Sequence, residues 1–191
     1  IAAPLISSKA YKNILVIGTE TYSKITDYKH RNCVFFGDGA GALILSESKS
    51  GWLFMELNSN GSGTGDTGFT CHLNSKYTTI PKQVKDQACK VLPISINRVL
   101  KETNINVKDI DIFIPHQASI NILKNIAEQV GLKTSKIKAV MSKFGNIAGA
   151  SLPIAFHDAV MKDEIKKNTK VLFSAIGSGW SWGTILLHYD D

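Results

Sequence analysis

An apolar segment at residues 110–114 runs directly into a proline, a histidine and a glutamine, and this order restricts the folds open to the chain. The segment has the length and the β-branched composition of a buried strand. Pro115 interrupts that strand, and a helical pattern begins near Ser119. His116 and Gln117 are therefore predicted at the carboxyl end of a strand, where α/β sheets carry their functional side chains.

Strand and helix patterns alternate along most of the chain. Apolar runs typical of strands occur at residues 13–18, 33–36, 43–46, 52–57, 110–114, 137–141, 170–175 and 184–189. Helical patterns are found at 1–9, 81–100, 119–130 and 149–162, with a kink or break predicted at Pro93 and a helix end at Gly131. This alternation predicts a layered α/β fold.

The segment from Asn58 to Thr79 differs from its surroundings because Gly, Ser, Thr and Asn dominate it. Such a composition predicts a long surface excursion, and long excursions in compact domains are often lids or linkers. We therefore place a division here, with one half-domain at residues 1–58, a connecting region at 59–79 and a second half-domain at 80–191.

The overall composition argues against several classes of function. Of the 191 residues 43% are hydrophobic, which is enough for one sizeable core or two small ones. The formal charge is +6, but the basic residues are scattered and not interleaved with aromatic residues, so a nucleic-acid surface is not favoured. A mild basic excess does suit a partner that is acidic or carries phosphate. No apolar run approaches the length of a membrane span.

The cysteines and histidines lack the spacing of a disulfide framework or a metal site. Cys33, Cys71 and Cys89 are odd in number and far apart, so a reducing, cytoplasmic compartment is expected. No HExxH or HxxxH pattern occurs, and no metal is expected. The sequence starts without a Met and with residues typical of a helix interior, so we expect the natural protein to begin upstream.

Two glycine-rich stretches invite comparison with nucleotide-binding loops. Gly63–Gly68 satisfies the GxGxxG pattern, but no helical pattern opens there, so a dinucleotide cofactor is not expected and a flexible loop is favoured. Gly37–Gly41 lacks that spacing, and no Gly-Lys-Ser or Gly-Lys-Thr sequence follows it, so a phosphate loop is not expected. Its glycines indicate a tight turn or close packing of backbone.

His116 has a counterpart in Asn146, which lies 30 residues later (146 − 116) in a similar position. Each follows a predicted strand and precedes a predicted helix, about one βαβ repeat apart, so both should lie at one edge of a parallel sheet. Imidazole and carboxamide N–H groups side by side can donate to one oxygen and stabilise charge that develops on a carbonyl. Taken singly, His116 could be a structural histidine and Asn146 a turn residue. A third polar loop, Gly177–Gly183, is expected to complete the same active-site floor.

Four motifs, in order, resemble those of the β-ketoacyl-acyl carrier protein synthase III family. Ile114–Ala118 (Ile-Pro-His-Gln-Ala) is similar to its histidine motif, and Phe36–Ala42 to its internal glycine motif. Gly145-Asn146 followed by Ala150–Pro153 is similar to its asparagine motif. Gly177–Gly179, with Trp182-Gly183, resembles its C-terminal glycine loop. The resemblance extends from about Ile1 to Tyr189.

The resemblance implies a thiolase-like fold, in which two similar α/β halves stack in αβαβα layers, with this chain covering the end of the first half and the whole second half. It implies a cytoplasmic homodimer that needs no cofactor and acts in fatty acid biosynthesis or a related pathway. In this family an acyl group passes from acyl-CoA to a cysteine. Malonyl-acyl carrier protein then loses CO2, and the resulting carbanion attacks the acyl-cysteine.

The resemblance also implies roles for individual residues. His116 and Asn146 match the two catalytic residues that hold the malonyl thioester oxygen. Substrate-binding positions are expected at Gln117, Ser119, Asn121, Ser178 and Gly179.

This sequence departs from the family pattern in three places. The nucleophilic cysteine, which in the family lies at a helix start shortly before the point where this chain begins, is absent. Ser178 stands where three consecutive glycines are usual, although its backbone N–H could still serve an oxyanion hole. Ser119 and Asn121 stand where many relatives carry Asn and Arg, and this affects the expected affinity for the carrier.

These departures keep two alternatives open. One is a relative of the same fold that makes a specialised metabolite or transfers an acyl group without decarboxylation. The other is a non-catalytic subunit that pairs with an active homologue and binds a carrier protein. Retention of both His116 and Asn146 argues against the second alternative, because an inactive partner need not keep both.

Overall fold

The structure is a computed structural model that describes residues 1–61 and 82–190. The GxGxxG stretch, Cys71 and nearly all of the connecting region predicted at 59–79 lie outside the described residues. In the described part, no helix is both long and apolar enough to cross a membrane.

The described part of the chain contains five helices and six strands. In chain order they are α1 (Ala2–Ser7), β1 (Asn13–Thr21), β2 (Asp38–Ser46), β3 (Trp52–Ser59), α2 (Lys82–Glu102), β4 (Ile112–Pro115), α3 (Ile120–Val130), α4 (Met141–Phe144), α5 (Ser151–Met161), β5 (Lys170–Gly177) and β6 (Ser181–His188). Short 3-10 turns include Tyr22–Lys24, Arg31–Phe35, Val107–Asp109, Thr134–Lys136 and Ala148–Ala150.

Two sheets and the helices between and beside them form layers. Strand β1 pairs antiparallel with β2, and a four-stranded sheet has the order β3-β6-β5-β4, in which only β4 and β5 are parallel. Helix α5 packs against both β2 and β4, so it lies between the sheets. Helices α2 and α3 pack together on the other side of the four-stranded sheet. This arrangement confirms the layered α/β fold predicted from the sequence.

Strand β4 is buried on both faces, which explains its continuous apolar sequence. Phe113 points into the core shared with α2 and α3, next to Ile96 and Ile126. Ile112 and Ile114 point into the core shared with α5. The strand that carries His116 at its end is therefore fixed from both sides.

Helix α3 follows its predicted course closely. Gly131 ends it in the left-handed conformation (φ 75°), and its N–H bonds to the carbonyls of Ala127 and Glu128. Four of its apolar residues are buried in the core, namely Leu123, Ile126, Ala127 and Val130. Ile120, at the start of the helix, is 39% exposed. Side chains tilt toward a helix N-terminus, so the side chain of this first residue extends beyond the packed face.

Helix α2 also matches its prediction. It continues through Pro93 from Lys82 to Glu102, so a break does not occur at this residue, and the alternative of a kink stays a prediction.

The predicted strand at residues 33–36 is wrong. Residues Arg31–Phe35 form a 3-10 turn, and the next strand begins at Asp38. Most of the glycine motif, from Asp38 to Ala42, is therefore part of β2 itself and not a tight turn. A short apolar run does not distinguish a strand from a partly covered turn, because periodicity needs a longer window.

The predicted strand at residues 137–141 is also wrong. Only Ile137 forms a bridge, to Phe113, and Met141 begins helix α4. The side chain of Gln117 accepts from the Val140 N–H and donates to the Lys138 carbonyl. The Gln117 side-chain amide thus makes the hydrogen bonds to Lys138 and Val140 that the backbone of a neighbouring strand would otherwise make.

Strand β1 forms as predicted but is not buried. Leu15, Val16 and Ile17 are 57%, 40% and 60% exposed, and Ile44 of the neighbouring strand is 75% exposed. The two-stranded sheet contacts α5 and the Ala148–Ala150 turn, and the described residues leave these apolar side chains uncovered.

Strand β3 belongs to the sheet of the second predicted half. It pairs with β6 along its whole length, from Trp52 opposite His188 to Ser59 opposite Ser181. The division into half-domains at 1–58 and 80–191 stays a prediction.

Candidate active site

His116 lies immediately beyond β4, as predicted from the sequence. Its backbone N–H donates to the Ser174 carbonyl at 2.8 Å, which continues the pairing of β4 with β5. The half-buried ring places Nδ1 3.2 Å from the hydroxyl oxygen of Ser151, the first residue of α5. Ser151 is fully buried. The end of β4 and the start of α5 thus fix the position of the His116 imidazole together.

The orientation of the Ser151 hydroxyl determines which group is the donor in its contact with His116 Nδ1. Its oxygen lies 2.6 Å from the Ala148 carbonyl oxygen, so its proton is donated there. A lone pair of Ser151 then faces His116, and the contact is a hydrogen bond when Nδ1 carries a proton. Burial lowers the pKa of His116 to about 4, so the ring is neutral near neutral pH. In the free protein Nε2 is therefore an acceptor, and it becomes an N–H donor only when the ring is protonated.

Asn146 follows the short helix α4 and not a strand, in contrast to the sequence prediction. Its backbone N–H donates to the Phe35 carbonyl at 2.7 Å, and its carbonyl accepts from the Gly37 N–H at 3.1 Å. In the side chain, Oδ1 accepts from the Ala148 N–H at 3.0 Å. This bond identifies the oxygen end of the carboxamide and turns the Nδ2 donors away from it.

A chain of hydrogen bonds connects the two predicted catalytic side chains. It runs from His116 Nδ1 to the Ser151 hydroxyl, from there to the Ala148 carbonyl, and from the Ala148 N–H to Asn146 Oδ1. The two residues therefore share one support at the start of α5. Their convergence on a common substrate oxygen stays a prediction.

Glycines in β1, in β2 and immediately before β2 allow the Asn146 loop to lie directly on the first sheet. A Cβ at Gly37 would overlap the Phe144 carbonyl oxygen, and one at Gly18 would overlap the Gly149 carbonyl. A Cβ at Gly41 would lie 2.8 Å from that of Pro153. This confirms the close backbone packing that the glycine motif predicted.

Gln117 is not placed to bind substrate, in contrast to the prediction. Its side chain is fully buried, and Nε2 donates to the Pro115 and Lys138 carbonyls at 2.7 and 3.1 Å. Its Oε1 accepts from the Val140 N–H at 2.8 Å. The buried polar groups satisfy one another, so Gln117 holds the loop behind His116.

The other predicted substrate-binding residues lie on the segments that flank the site. Ser119 precedes α3 and is half-buried, whereas Asn121, in the first turn, is exposed. Ser178 and Gly179 form the turn between β5 and β6. Their substrate contacts stay predictions.

The environment of His116 predicts an unusual titration. Because folding removes water from around the half-buried ring and disfavours its charged form, the unfolded chain binds a proton near pH 6.5 and the folded chain only near its pKa of about 4. Stability should therefore fall as pH drops through this window, by at most roughly 3 kcal/mol, and change no further from this group below it. An NMR titration of the His116 ring should give a midpoint near pH 4. A midpoint near the ordinary value of 6.5 would contradict the burial described above.

The layered fold, with a histidine at a strand end and an asparagine in the loop before the helix between the two sheets, defines a thiolase-like domain. The sequence matches the family model for 3-oxoacyl-[acyl-carrier-protein (ACP)] synthase III over residues 1–61 and its C-terminal model over residues 100–189. The chain belongs to this family.

Named relatives support the same membership. The β-ketoacyl-[acyl-carrier-protein] synthase III of Oceanobacillus iheyensis is 36% identical, over 98% of this chain and 61% of the relative. That of Clostridium tetani is 35% identical, over 99% of this chain and 63% of the relative. The chain thus spans about three fifths of the length of these relatives.

Solved structures give the same result for the fold. The 3-oxoacyl-[acyl-carrier-protein] synthase III of Aquifex aeolicus superposes with a TM-score of 0.89 at 31% identity, covering 98% of this chain and 61% of that one. The enzyme of Pseudomonas aeruginosa gives a TM-score of 0.89 at 26% identity, with the same coverage.

Proposed function

We propose that the protein containing this chain is a β-ketoacyl-acyl carrier protein synthase III-type condensing enzyme. It joins an acyl-CoA starter to malonyl-acyl carrier protein by decarboxylative Claisen condensation, in fatty acid or related biosynthesis. The observation that carries the proposal is the hydrogen-bonded chain from His116 through Ser151 and Ala148 to Asn146, at the strand end where the family motif predicts it.

The chemistry of the second half-reaction suits these two side chains. When the malonyl C–C bond breaks, CO2 leaves and its electron pair remains on the thioester as an enolate. Negative charge then develops on the thioester oxygen, where the Asn146 Nδ2–H and the protonated His116 Nε2–H donate. The malonyl carboxylate and the enolate both favour the protonated ring, because nearby negative charge raises the pKa of a histidine.

The reaction closes with a proton transfer. The enolate carbon attacks the acyl-cysteine carbonyl, a C–C bond forms, and the cysteine leaves as a thiolate. The net reaction consumes one proton, which the thiolate takes up. The His116 ring, protonated while the negative charge lies beside it, can donate its Nε2 proton to this thiolate and is then neutral again.

The nucleophile itself is expected upstream of this chain. Cys33 lies in a 3-10 turn and Cys89 within α2, while Cys71 is outside the described residues. Neither described cysteine begins a helix after a strand, where a helix N-terminus would lower the thiol pKa. Burial in fact raises the pKa of Cys89.

The proposed partners are acyl-CoA, malonyl-acyl carrier protein and a second copy of the protein, in the cytoplasm. The uncovered apolar side chains of β1 and β2, such as Leu15, Ile17 and Ile44, support burial by the rest of the protein or by its dimer partner. The exposed Asn121, where many relatives carry Arg, favours a specialised branch of the family as the second candidate.

Adding back the missing segment tests the proposed function. The chain alone, incubated with radiolabelled short acyl-CoA and then malonyl-carrier protein, should form no ketoacyl product, and the chain joined to its natural upstream segment should form it. Stable acylation of Cys33, Cys71 or Cys89 followed by product would contradict the upstream position of the nucleophile, and no product from the joined protein would contradict the proposed function. An upstream Ser or Gly in place of the cysteine would support the non-catalytic alternative.

We propose that Lys124 favours binding of an acidic or phosphate-bearing carrier at the entrance to the active site. It is exposed on α3, the helix that follows His116. Lys124→Glu should raise the KM for carrier-bound malonyl substrate about threefold at low salt, with an effect that shrinks as salt screens the charges. Lys49→Glu is the matched control, because this exposed lysine precedes β3 at the end of the sheet far from Ser181. An unchanged KM at low salt would remove Lys124 from the carrier surface.

A further inference from the structure

Glu20, near the end of β1, contacts the loop that carries Asn146. Its Oε1 accepts a hydrogen bond from the Gly149 N–H at 3.2 Å. Gly149 lies in the 3-10 turn Ala148–Ala150, between Asn146 and α5. The bond therefore joins the first sheet to the turn that also bonds the Asn146 carboxamide.

Backbone contacts hold the same loop on both sides of this bond. Asn146 exchanges two backbone hydrogen bonds with Phe35 and Gly37 before the turn. The Gly149 carbonyl lies against Gly18, where a Cβ would not fit. Glu20 is the side chain that completes this attachment, and a Cβ on Gly149 would lie only 3.3 Å from its Oε1.

A carboxylate is well matched to this position. The N–H groups at the beginning of a helical segment have no helical carbonyl to bond, and Gly149 is one of them. A negatively charged acceptor satisfies such a group and is favoured by the helix dipole. Burial and, secondarily, the charge of Glu20 raise the pKa of Tyr22 to about 12, so the neighbouring phenol stays neutral.

We propose that Glu20 is a positioning residue that fixes the Asn146 carboxamide relative to His116 by holding the Gly149 N–H. The inference rests on the proposed function, because it takes Asn146 as a donor to the malonyl oxygen. Glu20 acts through the loop and does not touch the substrate.

Three variants of the full-length protein test this role. Glu20→Ala should lower kcat for malonyl decarboxylation about tenfold with KM little changed, the size expected for one lost hydrogen bond. Acyl transfer to the cysteine should be unaffected. Glu20→Gln should restore the rate, because its amide oxygen can accept the same bond. Glu47→Ala is the matched control, since this exposed carboxylate pairs with Lys9 just beyond β2.

The outcomes separate this inference from the proposed function. If Asn146→Ala leaves malonyl decarboxylation intact, the proposed function fails. If Asn146→Ala abolishes it while Glu20→Ala does not change it, the positioning role alone is overturned. Equal loss of both half-reactions in Glu20→Ala, or a Glu20→Gln variant as slow as Glu20→Ala, would also overturn it. Hydrogen exchange provides a second readout in the present chain, where the Gly149 amide should exchange faster in Glu20→Ala, and unchanged exchange would count against the bond.

Discussion

Replacing His116 with alanine in the full-length protein should lower malonyl decarboxylation roughly 10²–10³-fold, the usual loss when one oxyanion donor is removed. Transfer of the acyl group from CoA to the cysteine should remain largely intact, because the malonyl oxygen is absent from that half-reaction. The two steps can be measured separately, as release of labelled CO2 from malonyl-carrier protein and as labelling of the protein by acyl-CoA.

A second histidine provides the control for this experiment. His157 is exposed on α5, one to two turns beyond Ser151, and His157→Ala should leave both half-reactions unchanged. Equal loss of both half-reactions in His116→Ala would show that the ring has a general role in folding or in acyl transfer. The assignment of His116 to the malonyl oxygen would then be wrong.

Replacing Gly37 with alanine should destabilise the fold by about 2–3 kcal/mol, because the added Cβ would overlap a backbone carbonyl that cannot rotate away. That carbonyl belongs to Phe144, and the Ile147 side chain lies 3.2 Å from the same point. The strain would be relieved by lifting the Asn146 loop off β2, so malonyl decarboxylation should fall as well. Denaturant unfolding measures the first effect.

Gly61 offers the matched control, because a Cβ added there meets no atom of the described residues within 4 Å. Gly61→Ala should change stability by less than about 0.5 kcal/mol. If Gly37→Ala proved as stable as Gly61→Ala, the close contact between the Asn146 loop and the glycine strand would be disproved.

The elements that could be predicted from the sequence are those with a long pattern or a specific end signal. Helix α3 combined helical spacing with a glycine at its end, and β4 combined a buried apolar run with Pro115. Residues 33–36 and 137–141 carried only short apolar runs. Their conformation depends on distant groups, such as the Gln117 amide, which takes the backbone partners of Lys138 and Val140.

Some residues of the candidate site could likewise be predicted from the sequence, and others could not. His116 and Asn146 could be predicted because each lies in a recognisable local pattern and the four motifs occur in family order. Ser151 and Glu20 could not, because their roles depend on contacts with residues 35 and 129 positions away in the chain. The direction of the Ser151 hydroxyl, which leaves Nε2 of neutral His116 unprotonated, likewise follows only from the geometry around Ala148.

The central claim is that His116 and Asn146 hold one malonyl thioester oxygen, and a crystal structure of the full-length protein with a stable malonyl thioester analogue tests it most directly. The account predicts that this oxygen lies about 3 Å from both His116 Nε2 and Asn146 Nδ2, within hydrogen-bond reach of each. An analogue bound with its thioester oxygen on backbone N–H groups, and with either side chain directed away from the oxygen, would contradict it.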